Sequence, residues 1–82
     1  MDGLADVDRQ IIREIITGYF ELFDNKACTR DSIYHEVMID PDMPKVADKI
    51  SHVIRVFDKL VATGRIVSAG GEGKSERFRI KQ

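Results

Sequence analysis

The sequence predicts an α+β fold in which three helices precede a C-terminal β-hairpin. As far as about residue 63, apolar residues recur at spacings of three and four, which places them on one face of a helix. After Gly64, apolar and polar residues alternate, as in strands with one buried face. Three glycines interrupt that alternation between residues 70 and 76. No linker or internal repeat divides the chain, so we expect a single domain over residues 1–82.

The composition indicates a small protein without a large enclosed active site. The chain has 82 residues, of which 43% are apolar and none is Trp, and domains of this size bury only about 60% of their unfolded surface. Cys28 is the only cysteine, so a reducing cytoplasm is the simplest location. No apolar run approaches the roughly 20 residues that cross a bilayer, and the acidic first residues do not resemble a signal peptide. We therefore expect a cytoplasmic protein without a membrane partner.

The first helix is predicted from about Arg9 to Asp24, after a loose end from Met1 to about Leu4. Asp6 or Asp8 can cap it. Its apolar residues cover nearly half of the circumference, more than one contact needs. Two explanations remain open: a scaffold helix contacted on two sides within its own domain, or a helix that also packs against a second copy. The second explanation predicts a homodimer through Ile11, Ile12, Ile15, Tyr19 and Phe23.

A very short strand at Ala27-Cys28 and a second helix are predicted next. Thr29 is a good N-cap, and the helix extends to about Met38. The following segment IDPDMP, residues 39–44, contains two prolines, so it cannot continue a helix. Asp40 and Asp42 are interpreted as turn residues around Pro41.

The third helix is predicted from Pro44 or Lys45 to Thr63, with Gly64 as a left-handed cap. One face is apolar and is expected to pack against the core through Val46, Ile50, Val53, Ile54, Phe57, Leu60 and Val61. The opposite stripe is mostly basic and is expected to face solvent or a partner, with Lys45, Asp48, Lys49, His52, Arg55 and Lys59. Val56 lies near this stripe.

The C-terminal hairpin is predicted to join two alternating runs, residues 65–69 and 77–81, through the segment GGEGKSE. Its apolar side, with Ile66, Phe78 and Ile80, should lie on the helices. The glycines predict a mobile tip. Basic residues surround that tip, namely Arg65, Lys74, Arg77 and Arg79.

Charge is distributed unevenly along the chain. Residues 1–44 contain four Lys and Arg against ten Asp and Glu, whereas residues 45–82 contain nine against four. Such a chain can present a basic surface to a polyanion although its net charge is −1. The alternative is that the two halves mix in the fold and their charges cancel.

The segment SHVIRVFDKLVATGRIV, residues 51–67, resembles winged helix-turn-helix proteins of the small transcriptional-regulator type. The residues that carry this resemblance are Ser51, Val53, Arg55, Leu60, Gly64 and Ile66. The order helix, strand, helix, helix, strand, strand extends the resemblance over essentially the whole chain. The connection at residues 39–44 is longer than the tight turn of simple helix-turn-helix proteins, and this length affects the angle at which the third helix docks.

The resemblance implies binding to double-stranded DNA, with the third helix in the major groove and the hairpin, or wing, on the backbone or the minor groove. On the third helix it nominates Lys45, Lys49, Ser51, His52, Arg55 and Lys59. On the wing it nominates Arg65, Lys74, Arg77 and Arg79. A homodimer would read two half-sites.

Enzymatic activity, a metal site and a cofactor are not expected. His35 and His52 lie on different predicted helices, and Cys28 has no neighbouring ligand at metal-binding spacing. The GGEG run lacks the Lys-Ser/Thr pair of a phosphate-binding loop. The alternative function is a winged helix that binds another protein as a subunit or adaptor.

Overall fold

The protein is described by a computed structural model over residues 4–81. Within that range the helices and strands follow the predicted order. The helices are α1 (Asp6–Leu22), α2 (Arg30–Met38) and α3 (Lys49–Ala62), and the strands are β1 (Cys28–Thr29), β2 (Ile66–Ser68) and β3 (Arg77–Ile80). The fold is therefore α+β, with three helices and a small three-stranded antiparallel sheet.

The strands lie in the order β1-β3-β2. β2 and β3 form the predicted hairpin, in which Ile66 lies opposite Ile80. β1 pairs with the other edge of β3, where Cys28 lies opposite Phe78. The sequence predicts a strand near Cys28 but not its partner, because so short a strand has no pattern from which pairing can be inferred.

Helices and sheet share one hydrophobic core. Phe57 of α3 is fully buried, and its ring meets Tyr34 of α2 and Phe78 of β3 edge to face. The ring centroids are 5.4 Å and 5.3 Å apart, respectively. Ile66 and Phe78 are buried and Ile80 is partly buried against this core, as predicted.

The start of α1 differs from the prediction. Leu4, expected in a loose end, is buried in the core, and the rest of that predicted end, residues 1–3, lies outside the described residues. The N-cap residue is Ala5, so the prediction of an aspartate cap is wrong. Asp6 and Asp8 lie instead in the first turn, where their charge suits the positive end of the helix dipole.

The cap of α2 is as predicted. The Thr29 hydroxyl accepts a hydrogen bond from the backbone N–H of Ser32 at 3.4 Å. After α2, the Asp40 carboxylate accepts a hydrogen bond from the backbone N–H of Asp42 at 2.8 Å, which confirms the turn expected around Pro41.

Helix α3 begins at Lys49, later than the predicted start after Pro44. Asp48 has a φ of 57°, a left-handed conformation. A right-handed α-helix therefore cannot extend from Lys49 back through this residue. Val46 donates its N–H to the Pro44 carbonyl at 3.1 Å in a tight turn. Residues 39–48 therefore form the connection, which is longer than the predicted one.

The tip of the hairpin is a hydrogen-bonded turn rather than an open glycine loop. A 3-10 turn spans Gly73–Ser75, and the Ser75 hydroxyl donates to the Glu72 carbonyl at 2.8 Å. Arg77 donates its N–H to the Gly70 carbonyl at 2.8 Å and closes the turn. At the other end of the hairpin, Gly64 has a φ of 81° and ends α3 as predicted.

Candidate nucleic-acid interface

The exposed face of α3 is basic at Arg55 and Lys59, whose side chains are both exposed. Ser51, one turn before Arg55, is partly buried. Among residues 4–81, Arg55 and Lys59 form no ion pair, so their charges are available to an outside group.

Two residues expected on or near this face point into the protein. His52 is only 9% exposed and Val56 is buried, whereas Ile50, expected in the core, is 41% exposed. The prediction that His52 faces outward is therefore wrong. Packing against the core sets the rotation of α3, so its buried arc centres on Val53, Phe57 and Leu60 and extends toward His52 and Val56.

The two predicted lysines near the start of α3 have different positions. Lys45 is exposed but lies in the connection, so it does not belong to the helical stripe. Lys49 is the first residue of α3 and is partly buried. Of the six nominated residues around the third helix, only Arg55 and Lys59 are both helical and exposed.

The acidic residue on the exposed face, Asp58, is paired with a cation from another helix. Arg30 of α2 places its Nη1 3.5 Å from the Asp58 carboxylate. The central carbon of the Arg30 guanidinium, Cζ, lies 5.4 Å from the ring centroid of Phe57 and 5.1 Å from the ring centroid of Phe78. Arg30 thus offsets part of the negative charge beside Arg55, a role that no local sequence pattern indicates.

All four nominated wing residues are exposed, namely Arg65, Lys74, Arg77 and Arg79. Arg77 and Arg79 alternate with the inward-facing Phe78 on β3, so they share the outer face of the sheet. Glu72 is also exposed and reduces the positive charge at the tip.

A cleft of about 430 Å³ lies between α1 and α3, and sequence reasoning did not find it. Arg9 and Arg13 of α1 line one side, and His52, Arg55 and Lys59 of α3 line the other. Leu4 and Val56 add apolar lining. The spacing of Arg9 and Arg13 places both on one face of α1, and the sequence shows this. The sequence does not show that this face lies opposite Arg55 and Lys59, because α3 is distant from α1 along the chain.

A second groove, of about 410 Å³, lies between α1 and the α2 region. It is apolar along Ile11, Ile15, Tyr19, Leu22 and Phe23, and its rim is acidic with Glu14, Glu36, Asp40 and Asp42. Leu22 is 76% exposed and Phe23 is 46% exposed. Ile12, which the predicted homodimer requires, is fully buried in the protein's own core, so that part of the prediction is wrong.

Cys28 does not have the environment of a reactive thiol. Burial raises its pKa, although the nearby charges of Arg77 and Lys26 act in the opposite direction. Its Sγ donates to the Lys26 carbonyl at 3.1 Å. A raised pKa reduces the thiolate fraction at neutral pH, which makes Cys28 a poor nucleophile. The described residues contain no group of three or more His, Cys, Asp or Glu side chains that could hold a metal ion.

No protein-family model, curated protein or solved structure matches this chain. Across residues 4–81, none of the helices has both the length and the apolar character needed to cross a bilayer.

Proposed function

We propose that this protein is a winged helix-turn-helix protein that binds double-stranded DNA and regulates transcription in the cytoplasm. The observation that carries the proposal is the exposed Arg55 and Lys59 on α3, which form no ion pair within the described chain. A helix with one face free of its own core can enter the major groove, where Arg binds guanine edges and Lys binds phosphates.

The hairpin supports the same proposal. α3 leads through Gly64 directly into β2, so the wing is connected to the recognition helix by a short turn. Arg77 and Arg79 on the outer face of the sheet, with Lys74 at the tip, supply cations for the backbone or the minor groove. A homodimer through the exposed part of α1 would let two recognition helices bind two half-sites.

The test is a fluorescence-anisotropy titration of mixed-sequence duplex at two ionic strengths. Removing both charges with Arg55→Gln and Lys59→Gln should weaken binding by about tenfold or more and flatten the salt dependence, because fewer counterions are released. The matched control removes one exposed cation outside the proposed interface, with Lys26→Gln, and should change the affinity much less than Arg55→Gln alone. Equal effects of these two single variants, or no duplex binding at low salt, would contradict the proposal.

The second candidate function is a protein-interaction module, which the groove between α1 and α2 favours. Its apolar floor and four acidic rim residues suit a basic amphipathic helix of another protein. A chain that binds a basic amphipathic peptide but no duplex, and loses the peptide on Phe23→Glu, would support this candidate over the DNA-binding one.

A further inference from the structure

The cleft between α1 and α3 brings together cations from two helices. Arg13 comes from α1, while Arg55 and Lys59 come from α3. Arg9 also lines the cleft, and its Nη1 binds Asp6 at 2.8 Å at the start of α1. The positive charges of Arg13, Arg55 and Lys59 repel one another, and a bound anion would relieve that repulsion.

His52 forms part of the wall of the cleft. Its side chain is about nine-tenths buried, and within residues 4–81 its Nδ1 has no hydrogen-bond partner. Nδ1 itself has almost no accessible surface, so an anion in the cleft reaches it only if the imidazole ring moves. The His52 ring therefore reports on what occupies the cleft, whereas the cations Arg13, Arg55 and Lys59 select the ligand.

The chemistry of these side chains selects a phosphate group. Guanidinium groups donate pairs of hydrogen bonds in a planar fork that fits phosphate oxygens, and Lys59 adds a point charge. The cleft, at about 430 Å³, is larger than a phosphate group alone, and Leu4 and Val56 provide apolar contact for what is attached to it. We propose that the α1–α3 cleft is a phosphate-binding site formed by Arg13, Arg55 and Lys59, with His52 in its wall.

The proposal does not depend on DNA binding, because the phosphate can belong to a duplex backbone or to a small phosphorylated molecule. The first experiment adds inorganic phosphate and follows the His52 ring resonances by NMR, with chloride at matched ionic strength as the reference. Phosphate should shift these resonances saturably, and Arg13→Gln should weaken its binding by about tenfold. Lys26→Gln, which removes one exposed charge outside the cleft, should leave phosphate binding unchanged.

Chloride producing the same shifts, or Arg13→Gln and Lys26→Gln having equal effects, would overturn the proposal. Circular dichroism and thermal unfolding of Arg13→Gln should match the unmodified protein, because the Arg13 side chain makes one described hydrogen bond, to Gln10 on its own helix. A variant that loses phosphate binding together with its fold is replaced by Arg13→Lys, which keeps the charge but not the fork. That variant should bind phosphate more weakly than the unmodified protein, and unchanged binding would overturn the assignment of Arg13.

A second arm identifies the source of the phosphate. If it belongs to DNA, Arg13→Gln should also weaken duplex binding and reduce the slope of log affinity against log salt by about one. If it belongs to a small molecule, Arg13→Gln should weaken binding of inorganic phosphate and leave duplex titrations unchanged. If the unmodified protein and all variants fail to bind duplex DNA while the unmodified protein still binds phosphate, the proposed function is contradicted and the phosphate site is not.

Discussion

Asn25 shows how one side chain joins the two ends of the fold. Its amide donates to the Ile80 carbonyl at 2.9 Å and accepts from the Ile80 N–H at 2.8 Å, so it pairs with β3 as another strand would. Its φ is 58°, a left-handed conformation that asparagine tolerates better than most residues. The side chain thus provides hydrogen-bond partners for the backbone of Ile80 at the end of β3. It also holds the chain that leaves α1 against the sheet.

We expect Asn25→Gly to lower the free energy of unfolding by about 1–3 kcal/mol through loss of the two hydrogen bonds. Glycine adopts positive φ without strain, so this variant isolates the hydrogen bonds from the backbone conformation. Asn25→Ala should be less stable still, by about 1–2 kcal/mol, because it adds left-handed strain. Chemical denaturation measures both variants, and a glycine variant as stable as the unmodified protein would contradict this role.

Among the elements, the wing depends on the close approach of its own backbone. Gly71 has a φ of 89°, and a Cβ built there would lie 2.5 Å from the Ser75 carbonyl oxygen. Gly73 has a φ of 57°, but a Cβ there would meet nothing within 4 Å. The glycines are therefore required for different reasons, and sequence alone suggests only flexibility.

Gly71→Ala should disrupt the wing tip, whereas Gly73→Ala should cost only the left-handed conformation, about 1–2 kcal/mol. The measurement is hydrogen exchange at the Arg77 amide, which bonds to the Gly70 carbonyl, and at the Ala69 amide, which bonds to the Arg77 carbonyl. Gly71→Ala should accelerate both much more than Gly73→Ala. Similar protection in the two variants would show that the backbone contact does not maintain the tip.

For the whole molecule, Phe57 connects the helical layer to the sheet. It contacts Tyr34 and Phe78 edge to face, and Arg30 lies against both Phe57 and Phe78. Removing its ring should therefore weaken the contact between helices and sheet together, rather than loosen one element.

We expect Phe57→Ala to cost about 3–5 kcal/mol, a large fraction of the stability of a small domain. Phe57→Leu fills more of the space and should cost less, so it keeps the comparison measurable if the alanine variant does not fold. Thermal unfolding followed by both helix and aromatic signals is the measurement. Separate transitions for helices and sheet, or an alanine variant as stable as the leucine variant, would contradict the central position of Phe57.

Much of the fold could be predicted because its signals are local. Thr29 caps α2 and Gly64 ends α3 through interactions within a few residues. Prediction failed at the start of α3, where Asp48 adopts a left-handed conformation. It also failed for the rotation of that helix, because contacts with residues distant in sequence turn His52 inward and leave Ile50 exposed. The candidate site is affected accordingly: Arg55, Lys59 and the wing cations are exposed as expected, whereas Lys45 and His52 lie elsewhere.

The sequence by itself determined the order of helices and strands, the helix caps just described and the basic character of the second half, because each depends on neighbouring residues. Tertiary structure alone decided that β1 pairs with β3, and that Arg9 and Arg13 face Arg55 and Lys59 across a cleft. Packing sets the rotation of each helix and the partner of each strand. A short apolar pattern fits several arrangements equally well until the whole core selects one.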